Sequence, residues 1–154
     1  MTPLNASLRF AILSSPYHGQ VGSGLLEGAT EYLRENQISV ASEDIFQAPG
    51  AFEMPLLAQE LARSGDYHGV ICLGCVIKGD TAHFEFISLG AAVGIQQASL
   101  NTGVPIAFGI LTTYTEEQAL VRSRPGTGAE NKGREAAAAC LASARLLKKI
   151  RTLD

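Results

Sequence analysis

The sequence contains no tryptophan, and only three of its 154 residues are cysteines. An odd, sparse set of cysteines argues against a secreted protein held together by disulfides. The first ten residues, MTPLNASLRF, lack the basic region and apolar stretch of a secretory signal. No apolar run reaches the length needed to cross a bilayer; the best candidate, around 69–77, has the length of a strand. We therefore expect a cytoplasmic protein that does not interact with membranes.

The sequence also lacks a strong charge imbalance and the common cofactor motifs. The sequence has twelve basic and fifteen acidic residues, and its formal charge of -3 does not indicate the positively charged surface that binds nucleic acid. There is no Ser-His-Asp signature, Walker loop, G-x-G-x-x-G or cluster of metal ligands. We expect neither a cofactor nor a metal. The length and the 46% hydrophobic content predict one domain over residues 1–154, with residues 1–7 as an N-terminal arm.

Cys72 and Cys75 form a C-x-x-C pair inside the run GVICLGCVI, which is typical of a buried strand. Residues three apart on a strand point to opposite faces, so the two thiols cannot easily pair or bind one metal. A redox motif would place its cysteines at the start of a helix instead. We interpret both cysteines as residues that line the core or a site.

Strand-like apolar runs alternate with segments of helical spacing along the whole chain. Because the third and fourth strands are apolar throughout, they are typical of a parallel sheet that is covered on both faces. The pattern predicts an α/β three-layer sandwich, whose ligands bind outside the carboxyl ends of the strands. The predicted strands span 9–14, 38–46, 69–77 and 104–111; the helices span 22–36, the segment from Pro55 to about 64, 83–100, a short segment after Thr115, and 133–150.

Residues 79–83, Gly-Asp-Thr-Ala-His, lie between the third strand and a long helix. A glycine, the free N–H groups of a helix start and the Thr81 hydroxyl together favour a phosphate site, with the Asp80 side chain pointing away. His83 can exchange protons near neutral pH. Many turns of this kind contain Gly and Thr, however, and a surface or capping histidine is the slightly better interpretation from spacing alone. His68 precedes a strand and is interpreted as an exposed loop residue.

Four further residues have both a functional and an ordinary interpretation. Tyr17, in the loop after the first strand, either stacks on a flat ring or covers the core. Glu53 lies near a helix start, where a carboxylate more often stabilises the helix. Arg122 and Lys132 flank a glycine-rich loop and either hold phosphate or a carbonyl, or remain solvated. These patterns alone indicate a phosphate-binding α/β domain with a nearby proton-transfer group, and no particular substrate.

Four blocks of the sequence closely resemble the lumazine synthase family, in the family's order and spacing. The blocks are residues 49–55 (PGAFEMP), 74–86 (GCVIKGDTAHFEF), 108–119 (from FGILTT to EQA) and 131–133 (NKG), and the resemblance extends from about Leu8 to Lys149. It implies a flavodoxin-like fold with a four-stranded parallel sheet. It also implies a transferase that condenses 5-amino-6-(D-ribitylamino)uracil with 3,4-dihydroxy-2-butanone 4-phosphate. The products would be 6,7-dimethyl-8-ribityllumazine, phosphate and water, on the pathway to riboflavin.

The resemblance also assigns roles to individual residues. His83 matches the proton-transfer histidine, and Tyr17 matches the aromatic position that stacks on the pyrimidine, where Phe or Trp is usual. The other matches are Ala51, Phe52 and Glu53 for the ribityl chain; Cys75 (often Thr in the family), Val76 and Ile77 for the pyrimidine pocket; Gly79, Asp80 and Thr81 for the phosphate turn, with Arg122 as its cation; Phe108 for the wall beside the butanone; and Lys132 near the ring carbonyl. In the family, Phe108, Arg122 and Lys132 reach the site from the neighbouring subunit.

Assembly is the remaining implication of the resemblance. The family forms homopentamers, and in some members twelve pentamers build a sixty-subunit capsid. The resemblance also implies riboflavin synthase as a candidate partner. The loop 123–130 is about two residues longer than the capsid-forming pattern, and such insertions are associated with pentamers that do not close into shells. We expect a homopentamer and leave the capsid open.

Two alternatives to an enzyme remain. A non-catalytic relative that carries a flavin or a lumazine would keep Tyr17 while losing His83, Arg122 or the phosphate turn, and all of these are present. A flavodoxin-like electron carrier or receiver domain would need a phosphate loop or an acidic cluster after the first strand. Residues 14–19 supply neither.

Overall fold

The computed structural model describes residues 8–16, 19–126 and 128–153. In this part of the chain, strands and helices alternate until the last two elements, which are both helices, and the strands form one parallel sheet with helices on both faces. The predicted α/β fold is therefore confirmed. The strands are β1 (Phe10–Ser14), β2 (Ile45–Gln47), β3 (Gly69–Ile77) and β4 (Ile106–Thr113); the helices are α1 (Gly19–Glu35), α2 (Met54–Arg63), α3 (His83–Thr102), α4 (Glu116–Val121) and α5 (Lys132–Arg151).

The order of strands in the sheet is β2-β1-β3-β4. Ser14 lies opposite Gln47 on one side and Leu73 on the other, and Ile77 lies opposite Thr113. All four strands thus end at the same edge, which we call the carboxyl edge. Strand β4 is the outermost strand on one side of the sheet.

The sheet separates two hydrophobic cores, one under each layer of helices. One core contains side chains of α1 and α5, and the other contains side chains of α2 and α3. Cys75 belongs to the first core and Cys72 to the second, so the prediction that they face opposite sides of a strand is confirmed. Both are free and buried, as is Cys140. No helix within the described ranges has the length and apolar character needed to cross a membrane.

The predicted second strand, 38–46, is wrong over most of its length. The structure contains only the short strand β2, preceded by a 3-10 turn at Ser42–Asp44. The reason lies at the end of α1, where Gln37 adopts a positive φ of 60° and the N–H of Ile38 donates to Leu33 O at 2.9 Å. This is a Schellman cap, in which the N–H of Ile38 completes the helix and is not available for a sheet.

Other boundaries differ by a few residues from those predicted. Helix α1 begins at Gly19 rather than Gly22, and α3 continues to Thr102, where Gly103 ends it with a φ of 71°. Strand β4 begins at Ile106 rather than at 104 because Pro105 has no N–H to donate to a neighbouring strand. As predicted, Pro55 lies in the first turn of α2.

A polar network lies at the other edge of the sheet, before the strands begin. The buried carboxylate of Asp44 accepts two hydrogen bonds from the Arg9 guanidinium, at 2.9 and 2.6 Å, and one from the Tyr67 hydroxyl at 2.8 Å. Hydrogen bonding to Arg9 is the main reason that the pKa of Asp44 is lowered. The network joins the segments that lead into β1, β2 and β3.

We expect Asp44→Asn to lower the free energy of unfolding at pH 7 by about 1–3 kcal/mol, because hydrogen bonds to a buried charge are lost. Since folding lowers the pKa of Asp44, its charge stabilises the protein above the unfolded-state pKa of about 4 and ceases to do so as the pH falls through the folded-state pKa. Urea unfolding of both proteins at neutral and strongly acidic pH would measure this. A difference that stays constant down to low pH would contradict it.

Candidate active site

The carboxyl edge brings together residues from three of the predicted blocks. Strand β2 leads to a turn at Ala51–Glu53, β3 leads to 78–83, and β4 leads to Tyr114. Because the strands are parallel, all three segments lie at this edge; those after β3 and β4 are neighbours, and the turn after β2 reaches α3 through the contact of Phe52 with Gly90. Tyr17 and His18, in the loop after β1, lie outside the described residues, so the stacking role predicted for Tyr17 stays a prediction.

Ala51–Glu53 forms a 3-10 turn that leads directly into α2. Ala51 is buried, whereas Phe52 and Glu53 are exposed. One side of the Phe52 ring packs against Gly90 of α3, where an added Cβ would lie 3.3 Å from Cε2 of the ring. The turn therefore leaves one aromatic face and one carboxylate accessible to a ligand.

The end of β3 supplies the three predicted pocket residues. Cys75 is buried, while Val76 and Ile77 are half-buried and contact opposite cores. Burial raises the pKa of the Cys75 thiol to about 11, although a hydrogen bond with Thr113 opposes this shift. The thiol is thus neutral at physiological pH, which suits a wall of a pocket rather than a nucleophile.

The segment from Gly79 to His83 is exposed, and His83 is the first residue of α3. The N-cap residue, Ala82, makes no side-chain capping bond. The His83 N–H donates to the Thr81 hydroxyl at 3.3 Å, an arrangement that leaves the Thr81 proton free to donate elsewhere. A helix of twenty residues thus begins at the carboxyl edge with its positive end towards solvent. This geometry suits an anion next to an imidazole.

Sequence reasoning missed one cluster at the same edge. The Lys78 ammonium lies 5.6 Å above the centre of the Tyr114 ring, and that ring lies 6.0 Å from the ring of Phe84, next to His83. The Tyr114 N–H is held by Gln118 Oε1 at 2.9 Å, and the Lys78 N–H by Thr113 O. The pairing of β3 with β4, which aligns the residues that follow them, was the signal that could have identified this cluster.

Phe108 and Lys132 form a second group, apart from Ala51–Glu53 and Gly79–His83. Phe108 lies opposite Cys72 in the middle of β4. Together with Lys132 it lines a groove of 660 Å³ along the outer edge of β4, and the lining of this groove includes neither Ala51–Glu53 nor Gly79–His83. This groove therefore does not bring together all of the predicted site residues that the structure describes.

Arg122 is joined to Lys132 through the backbone. It caps α4, its carbonyl accepts the Lys132 N–H at 2.9 Å, and its guanidinium donates to Gln118 O at 3.0 Å. Its Nε lies 4.0 Å from the Glu130 carboxylate, an exposed pair that contributes little to stability. The Arg122 side chain is only partly exposed and is held at the base of the loop 123–130.

Comparisons with known proteins give one consistent result. A family profile described as 6,7-dimethyl-8-ribityllumazine synthase matches residues 7–148. The chain is 58% identical to "6,7-dimethyl-8-ribityllumazine synthase 1" of Caulobacter vibrioides, over 93% of this chain and 92% of that protein. It is 47% identical to the 6,7-dimethyl-8-ribityllumazine synthase of Deinococcus radiodurans, over 97% and 95% of the two chains. It is 46% identical to that of Nitratidesulfovibrio vulgaris (strain DSM 19637 / Miyazaki F), over 93% and 90%. The chain therefore belongs to the 6,7-dimethyl-8-ribityllumazine synthase family.

Proposed function

We propose that this chain binds its two substrates, 5-amino-6-(D-ribitylamino)uracil and 3,4-dihydroxy-2-butanone 4-phosphate, at the carboxyl edge of the sheet. Family membership makes it a transferase of riboflavin biosynthesis that forms 6,7-dimethyl-8-ribityllumazine. The observation that supports this placement is the start of α3, where the N-cap residue makes no side-chain capping bond and the exposed His83 imidazole belongs to the first helical residue. We assign the ribityl chain, the pyrimidine ring and the phosphate to the segments that surround this helix start.

The turn Ala51–Glu53 is suited to the ribityl chain. Its exposed carboxylate, Glu53, can accept hydrogen bonds from hydroxyl groups, and the exposed face of Phe52 can pack on carbon atoms. The flat pyrimidine lies against Cys75, Val76 and Ile77 at the end of β3. The family relationship and the juxtaposition of these segments support this assignment.

The phosphate is placed at Gly79–Thr81, where backbone N–H groups and the Thr81 hydroxyl can donate. The Asp80 side chain then points away from the anion, and only its N–H contributes. Arg122 supplies a guanidinium to the phosphate, and Lys132 supplies an ammonium to the ring carbonyl of the pyrimidine.

In the reaction, the primary amine condenses with the ketone and a first water leaves. Elimination of phosphate then leaves a new carbonyl on the four-carbon unit, and the second amine adds to that carbonyl and loses a second water to close the ring. His83 accepts a proton from the attacking nitrogen and returns protons to leaving oxygen atoms. Holding two reactants close together in the orientation for reaction can lower the activation free energy by about 7–11 kcal/mol. We assign most of the rate to positioning, which agrees with a site that contains few acid-base groups.

The active site is shared between subunits of a homopentamer in this proposal. A single chain leaves Gly79–His83 exposed and places Phe108 and Lys132 in a separate groove. Helix α3 also carries exposed apolar side chains along one stripe, at positions 86, 89, 93 and 100. Such a stripe is typical of a surface that another chain covers. Sedimentation velocity would distinguish a pentamer from a sixty-subunit shell; riboflavin synthase association and cytoplasmic location stay predictions.

An assay with both substrates tests the function. We expect the purified protein to release phosphate and form the lumazine chromophore in equal amounts, faster than the spontaneous condensation at the same concentrations. The matched control omits the enzyme and keeps both substrates. A protein that binds the lumazine without accelerating its formation would be a carrier, and the catalytic proposal would be abandoned.

A further inference from the structure

The loop 123–130 is closed at its base by a short two-stranded contact, which we call the loop neck. It consists of Arg122–Arg124 on one side and Asn131–Lys132 on the other. Ser123 and Asn131 form an isolated antiparallel bridge, and the Lys132 N–H donates to Arg122 O. The two cations of the proposed site thus occupy facing positions in the loop neck.

Asn131 is buried, and its side chain makes three hydrogen bonds in three directions. Nδ2 donates to Gly24 O in α1 at 2.9 Å and to Arg124 O across the loop neck at 3.0 Å. Oδ1 accepts the Arg134 N–H at 3.0 Å and caps α5. The Asn131 carboxamide therefore connects α1, the Arg122–Arg124 side of the loop neck and the start of α5.

Close packing explains why this carboxamide can span the three elements. A Cβ added to Gly28 would clash with Oδ1 of Asn131, and one added to Gly133 would clash with the backbone of Leu25. Helix α1 can approach the loop neck this closely only because glycines occupy both positions. The arrangement is rigid because a larger side chain at either position requires the backbone or the carboxamide to move.

We infer that Asn131 is a positioning residue that fixes Arg122 and Lys132 relative to the sheet, through the two bonds donated by Nδ2. This inference rests on the proposed function, in which those two cations contact the substrates. Capping of α5 uses Oδ1, whereas positioning of the loop neck uses Nδ2. The two roles can therefore be separated by substitution.

Asn131→Asp separates them, since a carboxylate retains the capping acceptor and loses the donor. The new oxygen faces the carbonyls of Gly24 and Arg124, which repel it. We expect a folded protein whose KM for the sugar phosphate rises about tenfold, with a smaller change in kcat. If Asn131 acts through Arg122, the double variant N131D/R122A shows no further rise beyond Arg122→Ala alone.

The matched control is Glu35→Gln, which removes the Glu35–Arg134 ion pair between α1 and α5 without touching the loop neck. It should leave KM unchanged. Gly28→Ala provides a second test if Asn131→Asp does not fold, and should raise the same KM. An inactive wild-type protein would overturn the proposed function; an active wild type with an unchanged KM in a folded N131D, or additive effects in the double variant, would overturn only this inference.

Discussion

Replacement of His83 by alanine is expected to reduce kcat by about 10²–10⁴-fold, the usual contribution of one proton-transfer group. The rate of turnover should still exceed the rate of the spontaneous condensation, because the other residues continue to hold the two substrates together in the orientation for reaction. His83 is exposed and begins α3, so its removal leaves both hydrophobic cores intact. Steady-state kinetics and circular dichroism on the same preparation would measure the two effects separately.

His68→Ala is the matched control for this prediction. His68 is also exposed, but it lies at the opposite edge of the sheet, where its Nδ1 accepts the Arg9 N–H at 3.1 Å. Its replacement should leave kcat unchanged. If His83→Ala lost all activity while it remained folded, the division between positioning and proton transfer would be wrong, and His83 would carry more of the catalysis than we assign to it.

Replacement of Arg122 by alanine is expected to raise KM for the sugar phosphate by about 10–100-fold, as the loss of a charge-assisted hydrogen bond predicts. KM for the pyrimidine should change far less, since we assign that ring to other residues. Arg124→Ala is the control, because Arg124 is an exposed arginine on the same loop and contributes only its carbonyl to the contact with Asn131. Equal effects of the two substitutions would contradict a specific role for Arg122.

Mixing the two variants tests whether neighbouring chains share the site. In a ring with random exchange of subunits, an equal mixture of His83→Ala and Arg122→Ala chains forms about one quarter of its sites from an intact His83 and an intact Arg122. Activity should therefore recover well above that of either variant alone. If activity remained the mean of the two variants after subunit exchange, both residues would act within one chain.

Most of the fold could be predicted from the sequence because the pattern of apolar residues reflects burial. Strand β3 was predicted with its observed bounds, since a strand covered on both faces is apolar throughout. The bounds of strand β2 were not predicted. Ile38, which was predicted to begin this strand, packs its side chain in the core, but the N–H of Ile38 caps α1. Gln37 adopts the left-handed conformation there without being glycine, so no local signal marked the cap.

The positions of the proposed site residues in the fold could be predicted in part, but the contacts between segments could not. Gly79–His83 was located correctly at the start of a helix because a strand, a turn and a helix follow in order along the chain. The contact of Lys78 with Tyr114 depends on the register of β3 against β4. The contact of Asn131 with Gly24 joins segments far apart in the chain, and spacing within one segment gives no information about it.

The network of Asp44, Arg9 and Tyr67 lies at the opposite edge of the sheet from His83. The stability that this network provides and the chemistry that we propose at segment 79–83 are thus largely independent, since that exposed segment buries little surface that the fold needs. Substitutions that alter substrate preference can accumulate there without unfolding the chain. The architecture is therefore open to divergence in specificity, and a relative could acquire a new ligand while retaining the same scaffold.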